Sequence, residues 1–545
     1  MNDPVMTPSV SGEPSPAARL HTIPRLLFDS AQRFAGRTAI EEQGIGIDYA
    51  HLPTLVLEVT RGLMALGIQP GERVGIWAPN GGDWIITALG IHCAGAVLVP
   101  LNTRAKGAEA ADVLSRSGCR VLFVQQRFLD TDYPAMLQPV RPASLAHLVV
   151  LGSDSPREYC DLTFEQFKAG AVTVETLTAK RRALSIQPEA VCDLLFTSGT
   201  TGKPKGVMSG HGACLRAFSE YVRVIGLVPG DRYLIVNPFF HAFGYKAGWL
   251  TCLIAGATIL PHAVFDAETV FQRIARERIS VLPGAPTLYL SLLAHPRLRE
   301  TDLSSLRIAV TGSASIPPSL IERMRDELGF SCVITAYGLT ECGGLATLCD
   351  PQDSVETIAA TSGRALAGTE VSIRDPRNQA LPSGDTGEIC LRGFHVMQGY
   401  FEDRAATAEA IDNEGWLHTG DVGRLDDSGN LIITDRLKDL FIVGGFNCYP
   451  AEIEATLIDH PAIAQVAVVG VADERMGEVG CACVVLREGQ QLQAHELVAW
   501  SRERMANYKV PRQVRFMTSL PLNPSAKVAK NELRTLIAAS TRQLA

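Results

Sequence analysis

The chain has 545 residues, too many for one ordinary hydrophobic core, so two or more domains are expected. Apolar residues make up 46% and charged residues 20%, the composition of a folded globular protein. The formal net charge of −8 excludes a broad nucleic-acid-binding face and leaves room only for a local basic pocket.

Residues 1–21 are rich in Pro, Ser and small side chains and are predicted to be a disordered tail. They lack the basic start and apolar centre of a secretory signal. No stretch of about 20 apolar residues is free of charge, so no membrane span is predicted. The segment from Leu234 to Pro261 comes nearest, but His241 and Lys246 interrupt it. The 13 cysteines are scattered, with no Cys-x-x-Cys pair, as expected of a protein kept reduced in the cytoplasm.

From residue 22 to 437 the pattern predicts a large N-terminal domain. Short apolar runs alternate with amphipathic segments: strands at 74–77, 96–100, 121–124, 148–151, 279–282 and 306–310, and a helix over 84–92. That alternation predicts α/β layers built on two largely parallel sheets. After residue 360, glycine turns such as Gly384-Asp385-Thr386-Gly387 separate short strands and predict a β-rich subdomain.

The densest cluster follows the buried run Leu194-Leu195-Phe196: Thr197, Ser198, Gly199, Thr200, Thr201, Gly202, Lys203, Pro204, Lys205, Gly206 and Val207. Glycines let backbone N–H groups turn toward an anion, hydroxyls add donors and lysines add charge. This predicts a phosphate-binding loop and hence ATP. It is not a Walker A loop, because Pro204 follows Lys203 where a hydroxyl and a helix start are needed. The metal ligand must then lie elsewhere.

Asn237 to Gly244 is aromatic and apolar around one imidazole, so His241, Phe243 and Gly244 are candidates for the wall of a pocket for an apolar acid. Tyr337-Gly338-Leu339-Thr340-Glu341 follows a strand, where α/β sheets bind ligands. Glu341 is a candidate Mg²⁺ ligand, since that ion takes one or two carboxylates plus phosphate oxygens, and Tyr337 is a candidate for stacking on adenine. Asp421, at the end of Gly415-Trp416-Leu417-His418-Thr419-Gly420, and Arg436, across an expected hairpin, suit the two hydroxyls of a ribose. Lys527, in Ser525-Ala526-Lys527, is a cation on an expected loop, able to face developing negative charge. Read singly, these residues are equally a core tyrosine, a turn aspartate, a core histidine and a solvated lysine.

Residues 438–545 predict a small α+β domain, with helices over 451–460 and 492–505 and strands at 466–471 and 481–486. The boundary falls at Leu437-Lys438.

Taken in order, the clusters at 197–207, 337–341, 415–421 and 435–454 resemble the adenylate-forming superfamily of acyl-CoA synthetases, luciferases and nonribosomal adenylation domains, over residues 22–535. The resemblance implies a mobile C-terminal domain that serves two reactions in turn. A carboxylate first attacks the α-phosphorus of ATP to give acyl-AMP and pyrophosphate; a thiol then displaces AMP. It implies the phosphate loop on the β- and γ-phosphates and Thr340 with Glu341 at the α-phosphate and Mg²⁺, Thr200 being a second metal ligand. It also implies Lys438 as hinge, Lys527 as adenylation lysine, Gly312 and Ser313 at the adenine and acyl region, and Gly444 and Gly445 beside the pantetheine tunnel. One departure stands out: Ala526 occupies the position of the glycine that usually precedes the lysine, and Lys530 is the less well fitting alternative.

No carboxylate lies in 237–244 and the next is Asp266, which disfavours an amino-acid substrate. With no carrier module after residue 545, coenzyme A is the expected acceptor; loading of a carrier protein, or a non-catalytic nucleotide-binding role, is the alternative. Phe239-Phe240-His241, Gly244 to Gly248 and Gly444 to Glu454 resemble a bacterial subgroup of steroid-degrading acyl-CoA synthetases. That implies a propanoate on a bicyclic indanedione as substrate, with a medium- or long-chain fatty acid as the other reading. The expected partners are thus ATP, coenzyme A and a carboxylic acid with an apolar body.

Overall fold

The computed structural model describes residues 22–152, 158–198, 204–312, 316, 318–436, 441–448, 450–521, 528 and 530–542. The predicted tail at 1–21 and the predicted boundary at Leu437-Lys438 lie outside the described residues.

The first sheet has seven strands. Its centre, Arg73–Trp77, Val97–Pro100, Val121–Gln125 and His147–Leu151, is parallel and nearly all buried. Strands covered on both faces need continuous apolar runs, which is what VLVP and VLFVQ supply. Helix α1 (Gly107–Ser117) precedes the 121–125 strand. At one edge, strand β1 (Val191–Ser198) runs parallel to 97–100, and strand β2 (Pro204–Gly210) folds back on it antiparallel. This corrects the expected single loop over 197–207. Thr197 faces Lys205 and Ser198 faces Pro204 in a ladder, so only 199–203 lies between the strands. Pro204 is the first residue of its strand, where a missing N–H is tolerated.

The second layer joins two four-stranded sheets. Arg232–Ile235 and Thr258–Pro261 belong to one; Ile308–Thr311 and β3 (Cys332–Tyr337) belong to the other. The predicted strand at 279–282 is reduced to a single bridging residue: Val281 pairs in parallel with Tyr233 on one side and Ile308 on the other. Pro283 ends it, since a proline cannot donate to a ladder. Helix Gly82–Cys93 is buried on every residue but Asp83. It shares one apolar cluster with Val74 and Phe123 of the first sheet and Ile40 and Ile259 of the second.

The β-rich subdomain is a four-stranded antiparallel sheet of Thr369–Arg374, Gly387–Gly393, β4 (Leu417–Leu425) and β5 (Leu431–Arg436). Beyond it, a five-stranded sheet contains β6 (Phe441–Val443) and β7 (Phe446–Cys448), the long hairpin Ile463–Asp473 with Gly477–Leu486, and Gln513–Phe516. Helix α2 (Pro450–Leu457) packs on the hairpin. The predicted helices here are shorter in the structure, and the strands longer, because the antiparallel ladder carries the apolar runs past their ends. This unit has apolar clusters of its own, around Val468 and Val484 and around Val469 and Leu533. The α/β class with a large and a small domain is therefore as expected. Among the described residues, no helix is long and apolar enough to cross a membrane.

Candidate active site

Two strands of different sheets meet at Asp421. β3 ends on Tyr337, whose hydroxyl donates to Asp421 Oδ2 at 2.8 Å. Asp421 on β4 lies directly opposite Arg436 on β5 in the ladder, the hairpin pairing that the spacing predicted. Burial, followed by the adjacent Asp421 carboxylate, holds the Tyr337 phenol well above its usual range, so it remains a donor.

A second corner forms around Glu341. The short 3₁₀ turn Thr340–Cys342 follows β3, and Glu341 Oε1 accepts from the Tyr400 hydroxyl at 2.9 Å. Tyr400 is delivered by a bridge to Val207 on β2, reinforced by Met208 N–H to Gly399 O at 3.0 Å and Phe401 N–H to Gly206 O at 2.7 Å. Lys205 Nζ stands 4.9 Å from the Tyr400 ring centroid, a cation–π contact. Sequence reasoning missed Tyr400. Its only signal is an aromatic after Gly399 in a stretch without periodicity, and its placement depends on β2 pairing with a segment nearly 200 residues away. A carboxylate beside a phenol and a lysine offers the hard oxygen chemistry that Mg²⁺ takes with phosphates, so Glu341 fits that role.

The cavity between the two domains has a volume of about 1290 Å³. Val236, Phe240, His241, Phe243, Val264 and Leu288 give it an apolar wall, and Thr197, Pro204 and Thr340 also line it. His241 caps the short helix Ala242–Gly244, its Nδ1 accepting from Phe243 N–H at 3.2 Å. Its side chain is exposed to the cavity, and desolvation by the surrounding cavity walls pushes its pKa below the usual imidazole value. It is therefore a neutral group near pH 7. Gly244 packs so closely that a Cβ would stand 2.3 Å from the carbonyl oxygens of Asn237 and Pro238. Only glycine fits there.

The C-terminal domain closes the cavity with Gly444, Gly445, Phe446 and Tyr508. The β6–β7 turn needs positive φ at Gly444 (+55°) and Gly445 (+86°), and a Cβ on Gly445 would reach within 3.2 Å of Ala285 in the large domain. Asn102 Nδ2 donates to the Tyr508 hydroxyl at 2.7 Å, and Phe446 stacks on Tyr508 with Arg104 4.8 Å above its ring. Lys509 Nζ lies 3.0 Å from Glu109 of α1 and 2.5 Å from Glu452 of α2, one carboxylate from each domain.

Of the predicted residues, Thr197, Thr340, His241, Phe243, Gly444 and Gly445 share the cavity wall. Tyr337 and Asp421 form the first corner, and Lys205 and Glu341 the second. Gly312 and Gly338 follow adjacent parallel strands, a Cβ on Gly312 coming 3.0 Å from Ala336 O. Gly199, Thr200, Thr201, Gly202, Lys203, Ser313, Lys438 and Lys527 lie outside the described residues, as do the side chains of Ser198 and Arg436.

Comparison with known proteins agrees with this layout. The sequence model of AMP-binding enzymes matches residues 27–401, and that of the AMP-binding enzyme C-terminal domain matches 452–527. A 3-[(3aS,4S,7aS)-7a-methyl-1,5-dioxo-octahydro-1H-inden-4-yl]propanoyl:CoA ligase of Mycobacterium tuberculosis is 46% identical over 518 residues, 95% of this chain and 99% of the relative. The ligase of the same name from Rhodococcus jostii is 46% identical over 94% of this chain and 98% of its own. Among solved structures, an amide bond synthetase from Marinactinospora thermotolerans superimposes with a TM-score of 0.82 at 30% identity, covering 94% of this chain and 99% of that one.

Proposed function

The chain belongs to the AMP-binding enzyme family and is an ATP-dependent acid–CoA ligase, and from that premise we propose that its acid is a propanoate carried on a bicyclic diketone. The observation that carries the substrate reading is the 46% identity, over nearly the whole of both chains, to two ligases whose names specify that acid. The roomy apolar cavity around His241 and Phe243 supports it. Its wall has space for a compact fused-ring body, and burying such a body in an apolar site is favourable at about 25 cal/mol per Å².

The two corners and the cavity divide the work. In the first half-reaction a carboxylate oxygen of the acid bonds to the α-phosphorus while the bond to the pyrophosphate oxygen breaks. Thr197, Ser198, Lys205 and the residues 199–203 hold the departing phosphates, and Thr340 meets the α-phosphate. Glu341 would hold the Mg²⁺ that accompanies ATP, whose charge would offset that on the phosphates. Asp421 and Arg436 take the ribose hydroxyls, Tyr337 fixing the Asp421 carboxylate, while Gly312, Ser313 and Gly338 line the adenine side. Lys527 supplies its cation in this step, and Lys438 is the hinge. In the second half-reaction the thiolate sulfur of coenzyme A bonds to the acyl carbon and the bond to AMP oxygen breaks. Gly444 and Gly445 at the cavity support a domain arrangement suited to this second step. The cytoplasm, where the 13 scattered cysteines stay reduced, is its place.

The test is a panel of acids with ATP, Mg²⁺ and coenzyme A, following AMP, pyrophosphate and thioester. We expect kcat/KM for the bicyclic keto acid to exceed that for octanoate or palmitate by tenfold or more, about 1.4 kcal/mol of discrimination. A preference for a fatty acid overturns the substrate reading.

A further inference from the structure

The buried charge at Lys246 has no part in the chemistry above. Lys246 is fully buried, and so is Asp193, its ion-pair partner at 3.2 Å. Its Nζ also donates to Ser209 Oγ at 2.9 Å. Asp193 belongs to β1 and Ser209 to β2, and the two face each other directly in the ladder. These are the strands that carry Thr197 and Lys205 on either side of residues 199–203. Lys246 itself is the second residue of a single π-helical turn, Tyr245–Leu250. That turn continues the short helix whose cap and first turn, His241 and Phe243, line the cavity. One ammonium thus ties the acyl wall to both strands of the phosphate hairpin at a single rung.

A buried ion pair is a poor way to gain stability, because desolvating two charges consumes most of their attraction. Burial opposes the Lys246 charge, and Asp193, with Cys214 and Cys192 behind it, more than offsets that, leaving the amine above its ordinary range. An isolated π turn inside an α-helix frequently marks a functional site. An apolar pair of equal volume would hold the two segments together as well, but without the direction that charged hydrogen bonds impose.

Resting on the acid–CoA ligase reading, we propose that Lys246 is a positioning residue that fixes the distance between the acid's carboxylate and the triphosphate by strapping the acyl wall to β1 and β2. A misplacement of about 1 Å between reacting groups costs on the order of 10²-fold in rate. The strap would therefore show in kcat for adenylation, with KM for acid and ATP nearly unchanged, since each ligand keeps its own contacts.

The experiment compares Lys246→Met with the charge-neutral pair Lys246→Met plus Asp193→Asn in the full chain. Both are measured by melting midpoint and by ATP–pyrophosphate exchange with the best acid that the wild type accepts. The single change leaves a buried carboxylate unpaired and lowers both melting and activity. The pair is expected to recover the melting midpoint yet keep kcat roughly 10- to 100-fold below wild type at unchanged KM values. Recovery of wild-type kcat together with melting would reduce Lys246 to a structural role and overturn the proposal. Should the pair fail to recover folding, Ser209→Ala decides, since it leaves the ion pair and removes one anchor. A kcat reduced about threefold at unchanged melting supports the strap, and a wild-type kcat overturns it. Failure of the bicyclic acid alone would sink the substrate reading and leave this test intact, because octanoate then serves as the acid.

Discussion

Asp421 is fixed within one domain, on a β-ladder whose rungs are backbone hydrogen bonds, with Tyr337 reaching it from the end of a neighbouring sheet. Gly445 reaches the cavity from a second domain with its own core, and a few side chains hold it there: Asn102 on Tyr508, Arg104 on Phe446, Glu109 on Lys509. The first corner cannot move without breaking a sheet. The Gly445 turn can detach at the cost of a handful of polar contacts, each worth about 1 kcal/mol net. An enzyme that must hold one nucleotide through two reactions, while changing what faces the acyl group, gains from that division.

The largest expected effect separates the two reactions outright. Lys527→Ala should slow acyl-AMP formation by about 10²–10³-fold, as removal of a charge-stabilising donor does. Thioester formation from supplied acyl-AMP should be nearly intact. Equal loss of both would show that the lysine serves neither step specifically. Asp421→Ala comes next, and it should damage both halves, because the ribose is present in ATP and in acyl-AMP alike. It also strips the buried Tyr337 hydroxyl of its acceptor. A cost of about 1–3 kcal/mol, or roughly 5- to 150-fold in kcat/KM for ATP, is expected. Tyr337→Phe, which removes the donor and leaves Asp421 in its ladder, should cost less in the same assay.

Gly445→Val tests the detachable side of the comparison. A branched side chain at φ +86°, with its Cβ 3.2 Å from Ala285, should strain the turn by about 1–3 kcal/mol. Thioester formation should fall by roughly 5- to 150-fold on that account, with ATP–pyrophosphate exchange unchanged. If exchange fell in step, the β6–β7 turn would matter to both domain arrangements and the contrast between Asp421 and Gly445 would be lost.

Legibility followed the same division. The parallel sheets, the hairpin bringing Asp421 opposite Arg436 and the small second domain were readable from apolar runs, glycine turns and spacing, because each depends on local periodicity. The sequence of 197–207 reads as a loop, since glycines and hydroxyls dominate it. Lys205 to Val207 instead belong to a strand, because β1 and the segment around Tyr400 each offer them a partner. Tyr400, Tyr508 and Lys509 left no usable trace in the sequence. Their roles arise from contacts across tens to hundreds of residues, and a tyrosine or lysine in an amphipathic stretch has the same local signature wherever its hydroxyl or amine ends up.

The smallest expected effect bears on how the domains part. If the C-terminal domain turns away as proposed, Lys509 loses Glu109 but keeps Glu452, which travels with it. Glu109 in turn keeps the Lys106 N–H at the start of α1, at 2.8 Å. Neither charge is orphaned, so the clasp is cheap to open, unlike a buried pair that loses its only partner. Glu109→Gln should therefore slow thioester formation by only about 3- to 10-fold, near 1 kcal/mol, and leave adenylation untouched. Lys509→Met should cost more, because it strands Glu452 in the small domain whatever the arrangement, and its melting midpoint should fall where that of Glu109→Gln does not. Burial lowers the Lys509 pKa, but Tyr508, Glu109 and Glu452 raise it well above the ordinary 10.5. A raised amine contributes fully below its unfolded value and is lost only as pH climbs through the folded one. The ratio of wild-type to Glu109→Gln thioester rates should thus stay flat over roughly pH 6 to 9, where an unperturbed lysine is also charged. It should narrow only in strong alkali, and a ratio that collapsed near neutrality would mean that the amine holding the domains together is not Lys509.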